Sequence, residues 1–510
     1  MERHQQMLGN FWKHGNLALE RKITISLPTV LYLFSYFVTT VLAATVYLMP
    51  GGAEYITNRW GPMAAKAYES IGSPTYLALL YLPLIVVPIA AWLTVKFMKR
   101  PLPLLEKVAS YDLRINTSVL WLIALTSAAY CLFTLNAAGA LDLGLLSSGD
   151  YIAKTTRRLN LLENTGFVFF AFAYGINLII PILAFIAYVK QGGKAQDLIL
   201  FVVTFVFFLF IITATYSKAQ ILIYLIMMVA AFILTRAKLK YMIIVTVVSV
   251  LAFVLTGYAM YPAPPEPVEV ELASTHQQPE STSKIEELPQ AMAPIDIPET
   301  PSEAPEDSPP PPTAPPVPTL VQPAVKLDTN LLASYIKRLS GDALHRMAAA
   351  MPFYVAIFDD ESERCGIQGN LVRKLLHMPE ANCVLPIKVF NAMYPEVDWA
   401  QGQQPAPATL SAYGELGMFW SICVMILSGV FLGILGTVGA ASGSPLFLGF
   451  TVAACSFSYY LTQVPLIASF TYPHGIFAFM IPIAILLFVA IGQRRKGGQG
   501  VDRHLAKLDA

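Results

Sequence analysis

Ten stretches of this chain run for about the length of a bilayer crossing with almost no charge, and that feature leaves few folds open. They are 23–48, 76–95, 118–135, 166–189, 198–214, 219–234, 241–258, 414–436, 446–461 and 475–491, the sixth and ninth being the shortest. A chain surrounded by hydrocarbon must satisfy its backbone polar groups internally. The expectation is therefore an all-α polytopic membrane protein of about ten transmembrane helices. Composition agrees, with 55% of residues hydrophobic and 13% charged, against roughly 25% charged in soluble chains. A formal net charge of +1, with no basic block beside a recognisable nucleic-acid module, argues against DNA or RNA as a partner.

The average charge hides a division. Segment 262–325 holds 18 of the 37 prolines and eleven acids against the single Lys284, a net −10 that leaves +11 on the rest of the chain. Such a segment buries too little apolar surface to offset chain entropy, so it reads as a disordered acidic spacer with no catalytic part.

Lys and Arg in the short loops set the orientation. Arg21 and Lys22, the group from Lys96 to Arg114, Lys190 and Lys194, the group from Arg236 to Lys240, and Arg494, Arg495 and Lys496 all fall on alternate loops. Ten spans then place both termini in the cytoplasm. The first span is too long for a signal-peptide core and follows an arm carrying Phe11 and Trp12. The expected organisation is 1–22 as a cytoplasmic interfacial arm and 23–258 as spans one to seven. A disordered acidic Pro-rich extracytoplasmic linker follows at 259–325, then an extracytoplasmic helical loop at 326–413, spans eight to ten at 414–491 and a cytoplasmic tail at 492–510. Cys131, Cys423 and Cys455 lie in spans, while Cys365 and Cys383 lie in the outer loop, where thiols can oxidise. Spacing does not fix connectivity, so a Cys365–Cys383 disulfide and two free thiols stand as equal readings.

No Asp, Glu, Lys, Arg or His occupies the centre of a span, which counts against a proton-coupled or ion-coupled transporter. A P-loop, a dinucleotide fingerprint, a zinc-binding His/Cys set and a Gly-x-Ser-x-Gly elbow are all missing, and the cytoplasmic loops are too short for a nucleotide-binding domain. Basic residues on the outer side stand out instead, in three places. Lys154 shares a helical face with Arg157 or Arg158, a spacing suited to a diphosphate and equally to charges touching lipid headgroups. Ser217 and Lys218 sit at the start of the sixth span, where free N–H groups attract anions. A lysine there opposes the helix dipole unless an anion lies between them; the plain alternative is a lysine reaching for the interface.

The third place follows the linker. Leu332, Ile336, Leu339, Ala343 and Met347 recur at helical spacing, with Arg338, Asp342, His345 and Arg346 on the other side. This predicts an amphipathic helix on the outer leaflet, whose arginines can simply pair with Asp342. His345, beside a carboxylate and two arginines, can act as a general base, although a solvated surface histidine is the commoner use of such a residue. The acid run 359–364 specifies no ligand geometry, so no metal site is assigned. Glu415 and His474 lie at the outer ends of spans eight and ten, facing a common cavity or capping helices.

With these motifs the chain resembles the Wzy-type oligosaccharide repeat-unit (O-antigen or exopolysaccharide) polymerases, which are similar to O-antigen ligases. Three features carry the likeness: Ala214-Thr-Tyr-Ser217-Lys218 before an apolar helix, Arg157 and Arg158 in the first large outer loop, and the segment Ala408-Thr-Leu-Ser-Ala-Tyr-Gly414-Glu-Leu-Gly417 after the second. Lys218 stands where the family pattern has arginine, which forfeits bidentate phosphate geometry, and the acidic linker is not a family hallmark. The resemblance implies a glycosyltransferase-C-like fold in a bacterial cytoplasmic (inner) membrane, with the active face extracytoplasmic. It implies transfer of a glycan from polyprenyl diphosphate to a sugar hydroxyl of another repeat unit, without cofactor or metal. His345, Glu415, Arg157 and Arg158 would be catalytic, and Lys218, Ser217, Arg338, Arg346 and Lys154 would hold the diphosphate. Partners would be the lipid-linked glycan, membrane lipid, and chain-length regulator or export proteins. The alternatives are an O-antigen-ligase-like transferase and a non-enzymatic lipid-glycan flippase or export scaffold.

Overall fold

Helix is the regular secondary structure of the computed structural model, which describes residues 20–52, 63–98, 107–108, 113–141, 151–215, 217, 219–260, 347–368, 373, 377, 381, 383–395, 404–471 and 475–508; strands are absent among them. Within these ranges the side chains of 151–155, 158–159, 162–163, 219, 252–260 and 494–508 lie outside the description. The chain divides into two units, Met1–Pro262 with Ala333–Ala510, and Ala263–Leu332. The second unit, with most of the Pro-rich linker, lies outside the described residues.

In chain order the elements are α1 (Glu20–Val46), α2 (Met63–Ser70), α3 (Pro74–Phe97), α4 (Thr117–Ala137), α5 (Tyr151–Phe170), α6 (Asn177–Lys190), α7 (Ala195–Ala214) and α8 (Ala219–Thr235). They continue as α9 (Leu239–Met260), α10 (Met347–Phe358), α11 (Leu385–Met393), α12 (Ala408–Leu416), α13 (Met418–Gly439), α14 (Pro445–Tyr460), α15 (Leu466–Thr471) and α16 (Ile476–Leu508). Among the described residues, seven helical runs are long and apolar enough to cross a membrane: α1, α3, α4, Asn164–Lys190 through α5 and α6, α7, α13, and Leu466–Gln493 through α15 and α16. The chain is an all-helical, multi-pass membrane protein. The other three expected spans fall on α8, α9 and α14. Of these, α14 has 16 residues, a rise of about 24 Å against a hydrocarbon core of about 30 Å. All of its residues except Phe450 are buried, so protein surrounds it instead of lipid.

Local chemistry accounts for the helix boundaries. Ser73 caps α3 by accepting from the Tyr76 N–H at 3.2 Å, with Pro74 as the first helical residue. Asn116 caps α4 in the same way through the Val119 N–H. Span eight was expected at 414–436, but Gly417 has a φ of 87°, a conformation only glycine adopts cheaply, and it separates α12 from the true span α13. Between α5 and α6 a π-helical turn, Ala171–Ile176, brings Gly175 against Ala478 of α16 so closely that a side chain there would collide.

Packing falls into two clusters. The first gathers α4 to α8, α14 and α16 around α6, eleven of whose fourteen residues are buried. Lipid tails are as apolar as leucine, so in a bilayer such packing rests on fit and on polar contacts between helices. Asn177 of α6 supplies the polar contact, accepting from Ser127 at 2.8 Å and donating to Cys131 Sγ at 3.3 Å, both on α4. The second cluster holds α1 to α3 and α10 to α13, with α14 contributing Phe457. Its tightest pair is α3 with α13: a side chain at Gly429 would lie 2.6 Å from Ala90 Cβ, and one at Gly433 2.7 Å from the Ala91 carbonyl. Small residues are what allow two backbones to approach so closely.

The segment read as an outer loop contributes to this second core. The amphipathic helix expected around 332–347 lies outside the described residues except for Met347, which begins α10. All twelve residues of α10 are buried, an apolar run the amphipathic reading stopped short of.

Candidate functional site

Of the catalytic and diphosphate-binding residues expected from the sequence, the structure describes the side chains of Arg157, Ser217 and Glu415. Lys218, Arg338, His345, Arg346 and His474 lie outside the described residues, as do the side chains of Lys154 and Arg158 on α5. Arg157 is half-buried, and its Nη2 donates to the Gly139 carbonyl at 2.7 Å, just beyond the end of α4, where helix carbonyls lack partners. Ser217 is buried in the turn between α7 and α8, its N–H donating to the Ile212 carbonyl at 3.1 Å. Both belong to elements of the first cluster, whereas Glu415 is built into the second.

Glu415 stands in the last turn of α12 and is 4% exposed. Two donors among the described residues reach its carboxylate: the Gln368 N–H meets Oε1 at 3.1 Å, and Trp420 Nε1 meets Oε2 at 2.9 Å. The chain before Gln368 also closes the end of α12, because the N–H groups of Cys365 and Gly366 donate to the Gly414 and Glu415 carbonyls, each at 3.1 Å. Those are carbonyls that a helix end leaves without internal partners. Gln368 itself is tied down by its side-chain amide, which donates to the carbonyls of Gly366 at 3.2 Å and Cys383 at 3.1 Å. A Cys365–Cys383 disulfide, with Cα atoms 4.9 Å apart, closes the segment.

Charged groups lie beside this segment. Arg364 donates through Nε to the Phe358 carbonyl at 3.3 Å, pairs with Glu361 at 2.8 Å and lays its guanidinium against Gly417. Lys388 of α11 pairs with Glu363 at 2.6 Å and sits 5.5 Å from the centre of the Phe358 ring. In the acid run, Asp360 accepts from the Ser362 N–H and hydroxyl at 2.9 and 2.7 Å, and these bonds hold its carboxyl below the usual range. The run is thus engaged in turn formation, and no group of acids, histidines and cysteines suited to a metal occurs among the described residues.

Burial pushes the Glu415 carboxyl up to about 7, with the bonds from Trp420 and Gln368 pulling the other way. Its folded value lies above the ordinary carboxylate value, so the native state holds its proton more tightly than the unfolded chain does. The contribution to stability is complete below about pH 4.5 and is lost as pH rises toward 7, a change of about 3 kcal/mol. Glu415→Gln carries no charge, so it should melt above the wild type at about pH 8 and lose that advantage at about pH 4.5. Thermal unfolding of both proteins in detergent across that range checks this; a pH-independent difference would contradict it. A second expectation concerns the disulfide, which joins residues 18 apart. Cys383→Ser should cost about 3 kcal/mol through the freed loop, read as a lowered melting temperature that reductant reproduces in the wild type.

Sequence reasoning found Glu415 and missed its two donors. Trp420 had a signal, since a partly buried indole N–H seeks an acceptor and a carboxylate stands five residues away. Gln368 had none, because it is brought in by backbone. No protein-family model, curated protein or solved structure matches this chain.

Proposed function

We propose that this chain is a multi-pass glycosyltransferase that polymerises oligosaccharide repeat units carried on polyprenyl diphosphate, working at the outer face of a bacterial cytoplasmic membrane. The observation that carries the reading is Glu415. It is a carboxylate whose surroundings bring its ionisation to about 7, the range in which a group can accept a proton and later release it. It also falls within the segment 408–417 that bears the resemblance to the polymerases, next to the first turn of a span.

In the proposed step the acceptor sugar hydroxyl attacks the anomeric carbon of the donor. The new glycosidic C–O bond forms as the bond from that carbon to the diphosphate oxygen breaks. Glu415 takes the hydroxyl proton, and polyprenyl diphosphate leaves with the electron pair. Cations must meet the departing charge, and Arg157, Arg158, Lys154, Lys218, Arg338 and Arg346 are the proposed set, with His345 as a further proton acceptor. The basic residues read on the outer side, Lys154, Arg157, Arg158, Lys218, Arg338 and Arg346, support an anionic lipid substrate there. No cofactor is required, because the diphosphate is already a good leaving group.

The test is reconstitution of the purified full chain in liposomes with lipid-linked repeat units, followed by sizing of the released glycans. A ladder at integer multiples of the repeat supports polymerase action. Transfer only onto a lipid-core acceptor would make the chain a ligase, and translocation without new bonds would make it a flippase.

A further inference from the structure

Glu415 and Trp420 are five residues apart, which on one continuous helix would turn them about 140° away from each other. They meet because Gly417, with its φ of 87°, ends α12 and restarts the chain as α13 in a new direction. The second carboxylate oxygen is met from elsewhere, by a backbone N–H on the segment that the Cys365–Cys383 bond closes. Among the described residues each oxygen thus receives one donor, the two arriving on separately anchored pieces of chain. We propose that Trp420 is a positioning residue for Glu415: its indole N–H, working with the Gln368 N–H, fixes the carboxylate's orientation and sets the pH at which it ionises.

Donors to a carboxylate favour its charged form, so removing one should raise the midpoint of ionisation. Among the described titratable and charged groups around Glu415, Tyr354 comes from α10 and Tyr413 from α12 itself, bonded to Asp359 at 3.4 Å. Arg364 lies against Gly417 with Glu361 as its partner. None of these bonds the carboxylate, which leaves Trp420 and Gln368 as the described donors to it.

The significance of this device for transfer rests on reading Glu415 as the base, so the experiment separates the two. Infrared difference titration of the reconstituted full chain follows the carboxyl stretch that disappears in Glu415→Gln. The wild-type midpoint is expected near 7, and Trp420→Phe should raise it by about 1 to 2 pH units, the loss of one hydrogen bond to a charged acceptor. An unmoved midpoint in folded Trp420→Phe overturns the proposal. If that variant does not fold, Cys383→Ser, which releases the segment carrying the Gln368 N–H, must raise the midpoint, and an unmoved value again overturns it. If the midpoint moves and the acid limb of the transfer rate moves with it, both readings stand. A midpoint that moves while the limb stays fixed keeps Trp420 as the positioning residue and removes Glu415 from the chemistry.

Discussion

Gly429→Leu is expected to leave little folded protein in the membrane. In α13 this glycine lies against the backbone and side chains of Val87, Ala90 and Ala91 of α3, and Gly433 one turn later lies against Ala91 and Thr94. An added branched side chain has no route past a neighbouring backbone, so the helices must separate and give up contacts along their whole seam. Overpacking commonly costs about 1–3 kcal/mol even where side chains can adjust, against a total stability of roughly 5–15 kcal/mol, and here the obstacle is main chain. Gly443→Leu is the matched control, because nothing lies within 4 Å of a side chain at that position. The measurement is recovery of a monodisperse species from detergent-solubilised membranes; equal recovery of the two variants would show that the seam tolerates bulk.

Glu415→Gln is expected to lower glycan transfer about 100- to 10,000-fold, the usual range for removal of a group that moves a proton in the rate-determining step. Glutamine has nearly the same shape, and its carbonyl oxygen can still accept from Trp420 or from Gln368. Insertion and thermal stability at about pH 8 should therefore hold or improve while turnover falls. Lost activity combined with retained folding is the signature sought, in reconstituted protein at matched amounts. Turnover equal to the wild type would dismiss the carboxylate as a proton acceptor and leave its donors a purely structural purpose.

Much of the membrane architecture was legible because a bilayer imposes length and polarity at once. Seven of the ten apolar stretches coincide with long helical runs, the largest boundary differences being at Gly417 and at Leu466–Gln493, which begins well before the expected start at 475. Apolar length by itself does not say whether a helix faces lipid or is walled in by other helices; α14, like α6, is of the second kind. The buried helix α10 escaped notice for the complementary reason. Its run Met347-Ala-Ala-Ala-Met-Pro-Phe-Tyr-Val-Ala-Ile-Phe358 is too short for a crossing and joins an amphipathic stretch whose charged face drew the eye. At the candidate site Glu415 was visible as an acid at the mouth of a span. What sets its chemistry was not, because Gln368 acts through an amide that every residue except proline carries, and Trp420 depends on a change of direction at Gly417.

The central position of α6 bears on how the chain is made. Its neighbours α4, α7 and α8 lie close in sequence, but it also packs against α14 and α16, which emerge more than 250 residues after it. During synthesis the apolar helices up to α9, α2 being too short to cross, must therefore wait in the membrane with one flank of α6 and α8 occupied by lipid. That lipid is expelled only when α14 arrives, and a helix of its length is poorly suited to remain alone in the bilayer. Completion of this half of the molecule is thus a late event that depends on the second half, and a chain cut after α9 should persist as an inserted but unfinished bundle.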